Sequence, residues 1–288
     1  MQSLENMMIK NDFIYETREE PGTEIVIEIF FLHRYSRDMW RAFPHIMLID
    51  ATYKTNLYNM PFIQIVGGMT PTNKSFIIAH AVVSKERGDN FVWVLERVKS
   101  MLDECMEPRV FNYVYDNWLK DCKEMFVFAW TDKRRNFGNR TTNRVESQHA
   151  NLKRYVLDRS SLDRVVGCVQ DIVETQFGEI RKTFRESINH HKHPLFQHLL
   201  GKVSHTALDL LSGEAIRKLD VLERFHSSCG CQMWYSFGLP CACRIEKYMS
   251  EERPIQLEDI DVFWRKLNFQ SCKLIDDDVD VVKELNIV

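Results

Sequence analysis

Residues 45–56 read His-Ile-Met-Leu-Ile-Asp-Ala-Thr-Tyr-Lys-Thr-Asn, an apolar run that ends in the acidic residue Asp50. Two further apolar runs, rich in Ile, Val and Phe, follow at residues 62–69 and 75–83, and the short separators contain Pro and Asn. Runs of this length between turn residues are typical of strands, and short separators favour antiparallel pairing. The sequence therefore predicts an antiparallel three-stranded meander in which Asp50 ends the first strand.

Helical spacing of apolar residues predicts helices after these strands, at 91–102, at 118–129, from about Asn143, and after Ser160 or Ser161. Asn143 and Glu146 have the spacing of a capping box. Residues 190–224 have a weaker pattern, which indicates shorter helices or loop. The last of the helices carries an apolar stripe that we expect in the core, formed by Leu162, Val165, Val166, Val169, Ile172, Val173, Phe177, Ile180 and Phe184.

The composition fits one substantial core with a small additional module, since the chain has 288 residues and is 44% hydrophobic. A net charge of -3 identifies no partner, but residues 133–154 carry seven basic residues against one acid, Glu146. Such a segment suits a DNA backbone, and an ordinary solvated helix face is the alternative. The predicted DNA-binding residues are Lys133, Arg134, Arg135, Arg140, Arg144, Lys153 and Arg154.

The sequence has no pattern of a secretory signal and no apolar stretch as long as a membrane span, so we expect an intracellular protein without a membrane partner. In a reducing compartment, clustered cysteines are better interpreted as metal ligands than as disulfides. Two close pairs, Cys229 with Cys231 and Cys241 with Cys243, supply four thiols among turn residues. The four cysteines predict a structural Zn²⁺ site, and ordinary buried or free cysteines are the alternative.

Asp50 and Glu146 are candidates for metal-dependent phosphodiester chemistry, which needs several carboxylates around divalent cations. A strand-end Asp and a helix-borne Glu suit such a set. The alternative is structural, because Asp50 can begin a loop and Glu146 can cap its own helix.

Several segments resemble a known family. Residues 43–56, 60–67 and 89–96 look like the Mutator-like (MULE) transposase domain, which also occurs in the plant far-red-impaired-response family of transposase-derived transcription factors. Residues 129–155 are similar to the end of that domain. Residues 227–243 resemble a SWIM zinc finger, with Cys243 at the position of the usual histidine. The resemblance runs from about Ile29 to Leu267.

The resemblance implies a fold similar to ribonuclease H, with an Asp-Asp-Glu triad that binds Mg²⁺ or Mn²⁺. The first Asp corresponds to Asp50 and the Glu to Glu146. The second Asp and the segment after it are missing between Val110 and Phe111. A substitute ligand, Asp116, is the alternative if residues 109–115 form a strand.

We therefore expect an α/β (α+β) protein with a truncated ribonuclease H-like domain and a small C-terminal zinc finger. The leading interpretation is a transposase-derived, non-catalytic nuclear protein that binds DNA or protein partners and takes no small-molecule substrate. The alternatives are an active metal-dependent transposase or nuclease, and a truncated or mis-spliced copy without independent function. The predicted divisions are a lead-in (1–44), the degenerate MULE domain (45–190), a helical connector (191–224), the finger (225–250) and an acidic tail (251–288).

Overall fold

The computed structural model of the protein describes residues 2–102, 135–139, 141–156, 160–185, 193–221 and 232–268. Its strands form one five-stranded antiparallel sheet in the order β1-β2-β5-β4-β3. The class is mixed α/β, as the sequence predicts, while a ribonuclease H-like fold stays a prediction. The strands are β1 (Phe13–Glu19), β2 (Val26–His33), β3 (Met47–Thr52), β4 (Phe62–Gly67) and β5 (Phe76–Val82).

The sheet has five strands rather than the three that the apolar runs after residue 45 predict. Strands β1 and β2 lie within residues 1–44 and pair with each other, and β2 also pairs with β5 through Ile29 opposite Val82. Strand β1 reads Phe-Ile-Tyr-Glu-Thr-Arg-Glu, with one buried and several half-buried side chains. Such a polar strand has no clear apolar signal, and only its neighbour β2 identifies it.

The helices of the first half of the fold pack against the sheet and share one hydrophobic cluster with it. The predicted stripe on α5 is core, since Val165, Val169 and Val173 are buried, and Ser161 caps this helix by accepting from the amide of Arg164. No helix among the described residues is long and apolar enough to cross a membrane. The predicted helix at 118–129 lies outside the described residues. These helices are α1 (Gln2–Lys10), α2 (Arg34–Ala42), α3 (Gly88–Leu102), α4 (Asn143–Tyr155) and α5 (Leu162–Thr183).

A second hydrophobic cluster consists of buried apolar side chains between Leu195 and Trp264, together with Phe137 and Met69. Phe263 and Trp264 are fully buried in it. The described parts of the predicted connector, finger and tail thus contribute to one cluster, and the divisions between them stay predictions. Its helices are α6 (His205–Val221), α7 (Met233–Phe237), α8 (Ala242–Ser250) and α9 (Val262–Arg265), with 3₁₀ turns at Pro194–Phe196 and Leu257–Asp259.

Candidate functional site

A row of polar side chains crosses the sheet at Asp50. Asp50 in β3 is the register partner of Gln64 in β4, which is the partner of His80 in β5. Residues directly opposite on neighbouring strands lie on one face of a sheet. Gln64 and His80 are buried, and Gln64 Nε2 lies 3.1 Å from His80 Nε2, whereas the Asp50 side chain keeps 39% of its surface exposed. The row therefore runs from the apolar interior to a carboxylate at the surface.

Helix α4, which carries Glu146, contacts β3 and β4. Val145, His149 and Leu152 form its buried side, and Arg144 fixes its first turn by donating to Ser75 Oγ (2.9 Å) and Asn73 Oδ1 (2.7 Å). The predicted cap needs a correction. Thr142 rather than Asn143 precedes the helix, and the Thr142 hydroxyl donates to Glu146 Oε1 at 3.0 Å.

The sequence pattern did not single out His149, which lies on the helix of Glu146 and beside Asp50. Its Nδ1 lies 3.9 Å from Asp50 Oδ2, and its ring is one helical turn after Glu146. Burial lowers the pKa of His149, and the carboxylates of Asp50 and Glu146 oppose this shift. The signal that could have identified it is the spacing Glu-x-x-His, which places both side chains on neighbouring parts of one helix surface.

The site fits a divalent cation only in part. Asp50 Oδ1 accepts a hydrogen bond from the amide of Ala51 at 2.9 Å, which leaves the exposed Oδ2 beside His149. Among the residues that the structure describes, no group of three or more His, Cys, Asp or Glu side chains is arranged to hold a metal ion. The segment where the second Asp is missing and the alternative ligand Asp116 lie outside these residues. The described part therefore supplies two carboxylates and an imidazole without a complete set of ligands.

The predicted basic surface divides into internal and exposed residues. Arg135 Nε lies 3.0 Å from Asp261 Oδ2, and its guanidinium lies 5.1 Å from the Trp234 ring, so this side chain ties residues 135–139 to the second cluster. Arg144 is engaged at the start of α4, as described above. Lys153 and Arg154 are exposed in the last turn of α4. The remaining three, Lys133, Arg134 and Arg140, lie outside the described residues.

Two of the four predicted zinc ligands are described, and both lie at the start of α8. Cys241 is the buried N-cap residue of this helix and Cys243 belongs to its first turn. Closely spaced thiols delivered by a turn suit a tetrahedral zinc site. Cys229 and Cys231 lie outside the described residues, so these contain half of the predicted set.

The chain just before Cys241 is held by the C-terminal segment. Gly238 ends α7 in the left-handed region at φ 66°, and its carbonyl accepts from the amide of Asp261 at 3.0 Å. The Trp264 indole donates to the carbonyl of Phe237 at 2.6 Å. This tight turn positions the backbone that enters α8. It thereby positions Cys241 and Cys243 at the start of that helix.

Comparison with known proteins identifies part of the chain. Residues 46–120 match the family model of the MULE transposase domain. The match covers β3 to α3 with the segment that follows, and it indicates a transposase-derived protein. Glu146 and the cysteine pairs lie beyond it, so the SWIM finger and the relation to far-red-impaired-response proteins stay predictions.

A second comparison has a narrower meaning. The PKS-NRPS hybrid synthetase cheA of Chaetomium globosum is 27% identical to this chain over 165 residues, which are 51% of this chain and 4% of that protein. Because the chain spans so small a share of the synthetase, the synthetase's name describes that protein alone. No solved structure matches this chain.

Proposed function

We propose that this transposase-derived protein is a non-catalytic nuclear DNA-binding protein stabilised by a structural zinc ion. The observation that carries the proposal is the exposed side of α4, the helix that covers Asp50. A match to the MULE transposase domain is consistent with DNA as a partner. Nuclear location and a role in regulating transcription follow from that partner and belong to the same proposal.

The exposed side of α4 forms a continuous stripe. Asn143, Glu146, Ala150, Lys153 and Arg154 are exposed and recur at helical spacing, while the opposite side packs on β3 and β4. The 13 residues of this helix extend about 20 Å. Cations in the last turn also complement the helix dipole, so both can be kept without destabilising α4. Lys153 and Arg154 have no ion-pair partner within the described part of the chain, which leaves both available for phosphates.

Binding to a labelled 20-base-pair duplex at several salt concentrations tests this surface. We expect the double substitution Lys153→Ala and Arg154→Ala to weaken binding and to reduce the slope of log K against log salt by about 1 to 2, since each phosphate contact contributes about 0.9. The matched control is Arg181→Ala with Lys182→Ala, which removes the same charges from the last turn of α5. Equal losses in both double variants, or no binding by the wild type, would contradict the proposal.

The non-catalytic part rests on the incomplete ligand set around Asp50. Two-metal chemistry needs several carboxylates on cations about 3.5–4 Å apart. The described residues bring only Asp50 and the helix of Glu146 together. We therefore expect no cleavage of DNA by the full chain with Mg²⁺ or Mn²⁺.

The enzyme alternative has one observation in its favour, which is the proximity of Asp50 to α4. It predicts metal-dependent cleavage that is abolished by Asp50→Asn, by Glu146→Gln and by Asp116→Asn. Cleavage that survives Asp116→Asn but not the other two substitutions would require a ligand other than Asp116. Any cleavage lost in Asp50→Asn overturns the non-catalytic proposal.

The zinc part is supported by the position of Cys241 and Cys243 at the start of α8. We propose that these thiols and those of Cys229 and Cys231 hold Zn²⁺ and stabilise the second cluster. Metal analysis of the full chain is expected to find one equivalent of zinc, which Cys241→Ala removes together with part of the thermal stability. The control is Cys168→Ala in α5, which should keep the zinc, and a wild type with well under one equivalent would contradict the site.

A further inference from the structure

Three large apolar side chains are exposed within six residues, in the loop that follows Asp50. Tyr53 is 49%, Leu57 50% and Tyr58 67% exposed. We call residues 53–60, which join β3 to β4, the tyrosine loop. Clustered apolar side chains at the surface of a folded protein are typical of contact sites rather than of random exposure.

The tyrosine loop is held in one conformation from within. Asn56 is buried, and its Oδ1 accepts from the amides of Tyr58 and Met60, both at 3.1 Å, while its Nδ2 donates to the Met60 carbonyl at 2.8 Å. The amide of Leu57 donates to the carbonyl of Ser160 at 2.9 Å. Because the backbone is already ordered, contact with a ligand at Tyr58 costs little further loop entropy.

Exposed cations lie in the tyrosine loop and in the turn beside it. The Tyr53 hydroxyl donates to Glu86, and the amide of Val83 donates to the carbonyl of Pro61 at 3.1 Å, so the turn after β5 lies beside the loop. Residues 53–60 and 83–87 together expose three cations and one carboxylate, Glu86, which binds Tyr53, and the exposed Asp89 follows in the first turn of α3. The three cations are Lys54, Lys85 and Arg87.

The basic end of α4 is at the same end of the sheet. Ser160, which binds the loop, follows Tyr155 by five residues, and a chain of five residues spans at most about 17 Å. Tyr155 is itself exposed, and it directly follows Lys153 and Arg154. Exposed tyrosines and cations of the tyrosine loop and of the last turn of α4 therefore lie at this end of the sheet.

We propose that the tyrosine loop binds single-stranded DNA, with the ring of Tyr58 stacked on an unpaired base and the surrounding cations on its phosphates. This inference rests on the proposed function, since it assigns a second DNA contact beside α4. Stacking on exposed aromatic rings next to cations is how proteins bind single strands without reading their sequence, at about 1–3 kcal/mol per base. Base faces inside a duplex are covered by their neighbours, so the Tyr58 ring selects unpaired nucleotides. The exposed cations beside the rings argue against a protein partner with an apolar surface, because they would lose their hydration without gaining a charged partner.

Anisotropy of fluorescein-labelled dT20, compared with the 20-base-pair duplex, tests the inference on the full chain. Tyr58→Ala is expected to weaken dT20 binding about ten-fold and to leave duplex binding within about two-fold. Tyr58→Phe keeps the ring and should keep dT20 binding. Tyr235→Ala removes an equally exposed tyrosine from α7 and should change neither. Thermal unfolding verifies that each variant is folded.

The possible outcomes separate the two proposals. Three results would overturn the proposed role of the tyrosine loop. They are unchanged dT20 binding by Tyr58→Ala, equal losses of affinity for dT20 and for the duplex, and a loss of dT20 binding in Tyr58→Phe as well. Tighter binding of rU20 than of dT20 assigns the surface to RNA and overturns single-stranded DNA as the ligand. If duplex binding is absent while dT20 binding depends on Tyr58, the proposed function fails and the loop stands. Wild-type protein that binds neither DNA overturns both.

Discussion

Glu28 is a buried carboxylate that connects three elements of the first cluster. It lies in β2 opposite Arg18 in β1, and the two form an ion pair. Asn90 at the start of α3 donates to the same carboxylate, and the Arg18 guanidinium lies 5.2 Å from the Trp93 ring. A buried charge is costly without a charged partner, so the ion pair with Arg18 and the hydrogen bond from Asn90 hold β1 and α3 to β2.

Replacing Glu28 with Gln is expected to lower the free energy of unfolding by about 2–3 kcal/mol, because Arg18 loses its charged partner while the side-chain volume is kept. Glu16→Gln is the matched control, since Glu16 pairs with Arg97 at 2.6 Å with both side chains partly exposed. The free energy of unfolding of Glu16→Gln should decrease by less than about 1 kcal/mol. Urea unfolding with an unchanged m-value measures the free energy of unfolding of both variants. Equal decreases in the two variants would show that the burial of Glu28 does not strengthen its contribution to stability.

At the scale of elements, the turn between α7 and α8 positions the two described thiols. Gly238 is in the left-handed region, and a Cβ at this position would lie 2.4 Å from the Cβ of Asp261. Asp261 also caps α9 by accepting from the amide of Phe263 at 2.9 Å. The turn, the cap and the ion pair with Arg135 therefore depend on the same aspartate.

The substitution Gly238→Ala should destabilise the protein by about 1–3 kcal/mol and weaken zinc retention, because both the backbone angle and the space exclude a side chain. Gly213→Ala in α6 is the control. No atom lies within 4 Å of a Cβ placed there, so this helix should gain up to about 1 kcal/mol. Calorimetry and metal analysis give the two readouts, and a neutral Gly238→Ala would mean that the turn can relax.

At the scale of the whole molecule, the apolar interior encloses a histidine. His80 is fully buried between the rings of Phe31 and Phe62, with centroid distances of 5.3 and 5.1 Å, and it contacts Gln64. Burial lowers the pKa of His80 to about 3, and the charge of nearby His149 adds to the shift. The folded protein therefore keeps this imidazole neutral, whereas the unfolded chain protonates it near its ordinary pKa of 6.5.

Acid should consequently destabilise the fold. The unfolded state binds the extra proton, so stability is complete above pH 6.5 and falls by about 1.4 kcal/mol per pH unit for this group as the pH decreases toward 3. His80→Gln is expected to remove the contribution of His80 to the pH dependence of the free energy of unfolding. Urea unfolding between pH 6 and pH 4 measures this dependence. His198→Gln, on the exposed surface, should leave the slope unchanged. A slope that persists in His80→Gln would assign it to other groups.

The local signal predicts only part of the fold, since the apolar strand β2 is not among the strands that the sequence analysis predicts. Strands β3 to β5 and the buried stripe of α5 have uninterrupted apolar periodicity, and the sequence predicts both. Strand β1 lacks a regular apolar pattern, because Phe13, Ile14 and Tyr15 are followed by polar residues, and its strand character depends on pairing with β2. The cap of α4 was assigned to Asn143 instead of Thr142, because capping patterns shifted by one residue look alike in sequence.

The basic segment and His149 show how little of the candidate site can be predicted from the sequence. The sequence treats the basic residues of 133–154 as equals, yet tertiary contacts place Arg135 under Trp234 and Arg144 against Asn73, and leave Lys153 and Arg154 exposed. His149 becomes relevant only because α4 lies across β3 beside Asp50. Whether a basic side chain is engaged inside the protein or exposed thus depends on elements that are distant along the chain.

The amino-acid sequence alone predicts the antiparallel strands near Asp50, the helix that carries Glu146 and the clustering of the cysteines, since each depends on residues close together in the chain. Tertiary contacts establish that β1 and β2 complete the sheet, that His149 lies beside Asp50, and that Asn56 holds the tyrosine loop with its rings exposed. These features arise where separate segments meet, because burial and hydrogen bonding are set by the partner segment and not by local spacing.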